Sequence, residues 1–283
     1  TGAATFSSAV HNQGGIVNIG TGPVSLAGAI SGPGALTNDT LGALLVTASN
    51  SYSGGTFIKQ GIVQVHDFRG LGIGPVIIDD FGGGALNFYP APGTSNVLAN
   101  DMVLPNATTT QFSMDSQPQF QTTIRFTGRI SGGAAGQITR IVMNPQLNNN
   151  RPVILLDNPS NTFTMIPEIR RGTLAFTSDG ALGNATNGIR SNCEIGITGA
   201  GDITIQGLRF DADNITLNQN RQIELVNTAE FINVQGFTGT IAGPVVGAGS
   251  LRKLGSGTLR LTGAGSLTGQ TSISNGTLRV DSP

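Results

Sequence analysis

The sequence is poor in charge. Asp, Glu, Lys and Arg make only 11% of 283 residues, against roughly a quarter in ordinary globular domains. The 15 basic residues are thinly spread and the formal net charge is −1, which argues against a nucleic-acid surface or a polybasic membrane anchor. Trp is absent, Tyr occurs twice and Cys once. A lone Cys193 can form no internal disulfide and cannot fill a multi-cysteine zinc site. No apolar run approaches the ~18 residues of a membrane-spanning helix. No stretch shows clean helical spacing of apolar residues, because Gly or Pro interrupts most windows. The chain starts at Thr1 with no Met and no signal-like segment, as expected of a mature product or an excised fragment.

What is present points one way. Gly (42), Thr (31) and Asn (23) together make about a third of the chain. Hydrophobic residues at 38% with little charge favour a packed core over disorder. Short alternating segments such as Ile203-Thr204-Ile205, Thr258-Leu259-Arg260-Leu261 and Thr277-Leu278-Arg279-Val280 put apolar side chains on one face. Gly, Asn, Asp and Ser separate them, as corners require. The reading is all-β with many short strands.

Internal repeats define the architecture. Residues 34–65 align without a gap on 249–280, with eleven identities in 32 positions, ten of them glycine, threonine or aliphatic. A more degraded copy has Asn161-Thr162-Phe163-Thr164, Ile169 and Gly172-Thr173-Leu174-Ala175-Phe176, displaced by 111 from Asn50 to Val65. Phe126-Thr127-Gly128-Arg129-Ile130-Ser131-Gly132 recurs as Phe237-Thr238-Gly239-Thr240-Ile241-Ala242-Gly243, again 111 apart, and its core appears first as Gly28-Ala29-Ile30-Ser31-Gly32. These copies divide one array, 1–283, into super-repeats at approximately 28–127, 128–238 and 239–283 (partial), with 1–27 an incomplete preceding unit. Recurring corners of this kind suit a parallel β-solenoid, in which each coil stacks on the last. Coils of about 20 residues predict about 14 coils and a rod roughly 65 Å long. Asn and Thr are expected to stack into hydrogen-bonded ladders.

Leu251-Arg252-Lys253-Leu254-Gly255-Ser256-Gly257-Thr258-Leu259-Arg260-Leu261 and Thr268-Gly269-Gln270-Thr271-Ser272-Ile273-Ser274-Asn275-Gly276-Thr277-Leu278-Arg279-Val280 resemble the autotransporter-associated β-strand repeat, also called the passenger-associated transport repeat. The copy with Tyr52-Ser53-Gly54-Gly55-Thr56 resembles it too. In the middle copy Met165-Ile166-Pro167 replaces the Gly-Gly-Thr bend, so a bulge or kink is expected there. The resemblance implies a secreted or outer-surface bacterial β-solenoid whose repeat is a scaffold for secretion, and no single activity. That family's C-terminal membrane barrel is not evident near Pro283.

Carboxylates need inspection because β-helices also include polysaccharide lyases and hydrolases. Asp79-Asp80 sit in a glycine-rich stretch and read as a turn cap. Asp211 and Asp213 could share a face and hold a hard cation or act as an acid pair; a polar corner before Ile215 is the plainer reading. Gly199-Ala200-Gly201-Asp202 resembles a calcium-binding corner without the tandem copies that build a site. His11 and His66 lack metal spacing and read as solvated corner residues. Cys193 reads as a small buried residue. Arg170-Arg171 could bind an acidic sugar, or simply face solvent. No nucleophile-elbow, zinc-protease or P-loop pattern occurs, so no catalytic, cofactor or metal residue is assigned and the chain is read as a non-enzyme.

Neither end shows a polar cap. An uncapped solenoid exposes strand edges, which implies continuation in a longer chain or head-to-tail stacking of copies into a filament. Three readings follow: a structural surface or extracellular fibre, an adhesin binding glycans or host surfaces through a lateral face, and a polysaccharide-acting enzyme. The adhesin reading needs an exposed aromatic or Arg-rich stripe, for which Phe81, Phe88 and Tyr89 are the local cluster. The enzyme reading needs converging acids, with Asp211 and Asp213 as the seed.

Overall fold

The computed structural model describes residues 3–89, 96–105, 111–115, 123–144, 153–170, 172–193, 207–228 and 230–281. Every strand pairing among them is parallel, and the strands form sheets of 15, 8, 4 and 2 members. The only helical segment among the described residues is one 3₁₀ turn at Gly180–Leu182. Strands pair between successive coils, and except for the long consecutive strands Ala35–Val46, Thr56–Val65 and Val76–Phe88 they skip their sequence neighbours, which is the topology of a parallel β-solenoid.

The stack has about 11 turns, not 14. Coils near the ends do have the expected length: Ala4 pairs with Val24, Val24 with Leu44, and Leu251 with Thr271, each at an offset of 20. The middle coils are longer. Leu86 pairs with Phe112, Phe112 with Ile141, and Ser191 with Leu225, offsets of 26, 29 and 34. At a strand spacing of ~4.8 Å the rod is about 50 Å long.

The core is a set of vertical stacks. In the 8-stranded sheet, Leu98, Phe126, Leu156, Phe176 and Phe210 occupy one register line and are all buried. Ile124, Ile154, Leu174, Leu208 and Ile232 form the line beside it. Phe176 and Phe210 meet edge to face at 4.7 Å, and Phe88 meets Phe126 edge-on at 5.6 Å. Alternation explains this order: every second residue of a strand points inward, and parallel stacking without slippage repeats that choice in each coil.

Corners pose the harder problem. There the chain leaves the ladder, and its inward carbonyls and amides need other partners. Side-chain amides supply them. Asn50 accepts the Ile30 amide at 2.7 Å and donates to the Gly70 carbonyl at 2.6 Å. Asn161, its counterpart in the middle copy, accepts the Ile130 amide at 2.7 Å and donates to the Ala181 carbonyl at 2.8 Å. Each thus staples the coil before it to the coil after it. Asn18 donates to Asn38 Oδ1 at 2.8 Å, the first rung of an asparagine ladder. Asn38 Nδ2 in turn faces the carbonyls of Thr40, Gly42 and Gln60. At the equivalent corner of the last copy, Lys253 Nζ donates to the carbonyls of Gly255, Gly257 and Asn275 at 2.5, 2.6 and 2.8 Å. One carbonyl cage is therefore filled by an amide at one end of the array and by an ammonium at the other. Arg221, fully buried, plays a similar part in between: its guanidinium reaches the carbonyls of Leu182 and Asn187 and the Asp179 carboxylate.

The expected kink at Met165-Ile166-Pro167 is not there. Ile166–Ile169 pairs in unbroken register with Ile138 to Ile141. Pro167 is accommodated within this strand, and the irregularities lie elsewhere, around Asp39 and Gln60, where the long strands Ala35–Val46 and Thr56–Val65 turn a corner without leaving the sheet.

Asn161→Ala removes both coil-spanning bonds and orphans a buried amide and carbonyl. It is expected to cost about 2 kcal/mol, read as a lowered urea midpoint. Lys253→Asn is expected to keep most of the stability that Lys253→Met loses, because an asparagine already performs this task at position 38.

Candidate binding surface

One register line of the 15-stranded sheet alternates in charge. Arg140, Glu168, Arg190 and Glu224 succeed one another in register. Arg190 Nε lies 3.5 Å from Glu168 Oε1 and 3.6 Å from Glu224 Oε2. Arg170 Nε is 3.3 Å from Glu168 Oε2, and Asn192 donates to Glu168 Oε1 at 2.8 Å. Opposite charges on adjacent strands stabilise the sheet and leave little net field for an ionic ligand. Arg170 is thus engaged by Glu168, and Arg171 lies outside the described residues.

Beneath this surface is a polar cluster that the sequence reading missed. Glu230 is fully buried. Its Oε1 accepts the amides of Cys193 at 2.9 Å and Asn227 at 3.2 Å, and Ser191 Oγ hydrogen-bonds Oε2. Burial raises the Glu230 carboxyl above its ordinary value, against the pull of the Ser191, Cys193 and Asn227 bonds. Burial, then the Glu230 charge, pushes the Cys193 thiol well up. A thiol held protonated beside a carboxyl is a poor nucleophile. The group ties the segments 191–193 and 227–230 together. The sequence pattern gives no hint of it, because Ser191 and Cys193 lie 39 and 37 residues before Glu230.

Asp211 and Asp213 do not converge. Asp211 is clamped by Arg209, Nε to Oδ1 at 2.6 Å and Nη2 to Oδ2 at 2.7 Å, and also accepts Gln235 Nε2 at 2.6 Å. Asp213 accepts the Thr238 amide at 2.8 Å and the Asn214 amide nitrogen at 3.0 Å. Both are corner staples, consistent with the plainer reading. Asp79 lies within the strand Val76–Phe88 rather than capping a turn; the side chains of Asp80 and Phe81, and all of Gly199–Asp202, lie outside the described residues. His11 Nδ1 is 3.2 Å from Ser31 Oγ. His66 is not a simple solvated corner residue: it stacks on Tyr89 at 4.7 Å, and burial lowers its pKa. Phe88 is core, with no exposure, so the anticipated aromatic stripe loses its central member. Among the described residues no group of three or more His, Cys, Asp or Glu could hold a metal, and no helix is long and apolar enough to cross a membrane.

Exposed large hydrophobics concentrate at the ends instead. Phe6, Val10, Val17 and Ile19 stand out from the first coil, and Ile273 and Val280 from the last; among the described residues only Leu41 and Ile73 do so between them. The first coil also borders a cavity of about 450 Å³ lined by residues including Phe6, Val10, Ile16, Val24, Leu26 and Ile30. No charged residue precedes Asp39.

The fold and its corners define the class, a parallel β-solenoid. Residues 41–65 and 251–280 match the passenger-associated transport repeat family. The chain is similar to the adhesin BmaC autotransporter of Brucella suis biovar 1 (strain 1330), 30% identical over 165 residues, which is 58% of this chain and 4% of that protein. The chain thus carries two segments of this repeat, and it spans about 4% of the length of the curated relative it matches. No solved structure matches it.

Glu230 yields a signed pH dependence. The folded carboxyl keeps its proton above the 4.5 at which the unfolded one loses it, so this group's contribution is full below 4.5 and lost as pH rises through the raised folded value. Glu230→Gln mimics the protonated acid. Urea titrations at several pH values are expected to show the variant gaining stability on wild type as pH rises above 4.5, with Glu230→Ala destabilised by about 2–3 kcal/mol throughout.

Proposed function

We propose that this chain is a length of structural rod in the secreted passenger of a bacterial surface protein, a spacer and scaffold rather than a catalyst. The observation that carries this reading is the distribution of stickiness: apolar side chains crowd the end coils, whereas the acids and arginines singled out along the sides are paired with one another. Such a surface favours stacking along the axis over binding across it. The end faces accept a further coil of the same build, in a longer chain or in another copy. Every described strand of the first coil pairs downstream at an offset of 20, so a coil of that length upstream meets three ready edges. The outer surface of a bacterium, or its surroundings, is the setting the repeat supports.

A second reading, adhesion through a lateral face to glycans or host surfaces, draws on the adhesin relative. Display on a bacterial outer-membrane anchor separates the two. The scaffold reading expects surface exposure of the intact rod with no gain in adherence over the anchor alone; a gain that survives substitution of the end residues establishes the adhesin reading instead. For the purified chain, light scattering is expected to show mass growing with concentration. Val17→Lys and Ile19→Lys are expected to suppress that growth, and a wild-type chain that stays monomeric at every concentration removes end-on stacking of copies.

A further inference from the structure

Two corners of the array share one geometry but differ in one methylene. In the first, Gly61 has φ +63 and follows Gln60; in the last, Gly276 has φ +70 and follows Asn275. Neither glycine is replaceable: a Cβ at Gly61 would overlap the Thr40 carbonyl, and one at Gly276 would overlap the Gly257 carbonyl and Lys253 Nζ. The corner therefore fixes a residue-glycine pair, and at the end of the array that pair is Asn-Gly.

We propose that Asn275 is a site of spontaneous deamidation, with the Gly276 backbone nitrogen as nucleophile. That nitrogen donates to Asn275 Oδ1 at 2.7 Å, so the backbone amide and the side-chain carbonyl already face one another. Asn275 is exposed, so hydroxide and water reach it, and glycine presents no side chain to obstruct the attack. Hydroxide removes the Gly276 amide proton and the nitrogen bonds to Asn275 Cγ. The Cγ–Nδ2 bond breaks and the side-chain nitrogen leaves as ammonia, giving a succinimide. Water then opens either carbonyl of that ring, to aspartate or isoaspartate. No oxidant or reductant takes part.

The structure holds its own controls. Asn187-Gly188 is the same dipeptide, but Asn187 is buried, its Nδ2 donates to the Phe163 carbonyl at 2.5 Å, and its carbonyl accepts Arg221 at 3.0 Å. It cannot rotate into an attack geometry without breaking that corner. Gln60 occupies the equivalent of Asn275, but its longer side chain would have to close the larger, slower glutarimide ring, and Gln60 Nε2 is engaged by Asp39 at 3.3 Å.

The product has a structural consequence. The Asn275 carbonyl is one of the three acceptors of Lys253 Nζ. Isoaspartate reroutes the main chain through the former side chain and leaves that carbonyl as a free carboxylate on a side branch, so the cage loses its main-chain acceptor and the coil ending in the strand Thr277–Val280 loosens. Deamidation thus acts as a slow clock on the last corner.

The purified chain, held at mildly alkaline pH and physiological temperature, tests this by tryptic peptide mapping. Peptide 261–279 is expected to gain the mass of an amide-to-acid conversion and to split into aspartyl and isoaspartyl forms. Peptides 172–190 and 60–69 are expected to keep their amides, and Asn275→Gln to abolish the change in 261–279. The proposal is overturned if 261–279 keeps its amide while a free synthetic peptide of that sequence loses it, or if Asn187 converts as fast as Asn275. The deamidated fraction, separated by ion exchange, is expected to lose amide protection at 277–281; unchanged protection there overturns the loosening.

Discussion

A solenoid corner turns backbone carbonyls inward where neither a strand ladder nor water can reach them, and the rest of this structure depends on how those groups are satisfied. An unpaired buried carbonyl or amide costs about 1–3 kcal/mol, and a rod of many coils has many corners. The answer here is a small set of side chains aimed along the rod axis. Asn50 and Asn161 each accept from the coil before and donate to the coil after. Asn38 and Lys253 fill the same three-carbonyl cage with different chemistry, and Arg221 serves a wider corner with its five-donor fork. Once the corners are closed, strand register follows, and with it the vertical lines of Leu, Ile and Phe that make the core.

This arrangement bears directly on function. Each coil touches only its neighbours, so length can be added without redesigning a core. The charged groups singled out on the sides are spent on one another, as in the run from Arg170 through Glu168 and Arg190 to Glu224. Buried polar groups that elsewhere would suggest catalysis serve the backbone here: Glu230 accepts the Cys193 and Asn227 amides, and burial raises both its carboxyl and the Cys193 thiol. Among the described residues, most of the exposed large apolar side chains lie in the first and last coils, with Leu41 and Ile73 between them.

Much of this was legible in the sequence because the repeats are written in corner residues. The displacement of 111 that relates Asn50 to Asn161 by pattern also relates them by hydrogen bond. All-β architecture, parallel stacking and the family resemblance followed from glycine, threonine and aliphatic spacing alone. The turn count did not, because the coils between Leu86 and Leu225 vary in length, with pairing offsets from 20 to 34, and no local pattern marks the insertions. Pro167 misled for a related reason: a proline reads as a break, yet here it sits inside a strand whose register is unbroken. The Glu230 cluster was invisible because its members meet only when separate coils stack.

Residue-resolved hydrogen exchange on the intact chain tests the central claim most directly. The amides of Ile30 and Ile130 donate to asparagine side chains, not to a neighbouring strand. If those side chains close the corners, both amides exchange as slowly as ladder amides such as those of Leu174 and Leu208, which require opening of the sheet. Exchange at Ile30 and Ile130 as fast as in an exposed loop, with the ladder amides still protected, would contradict the account.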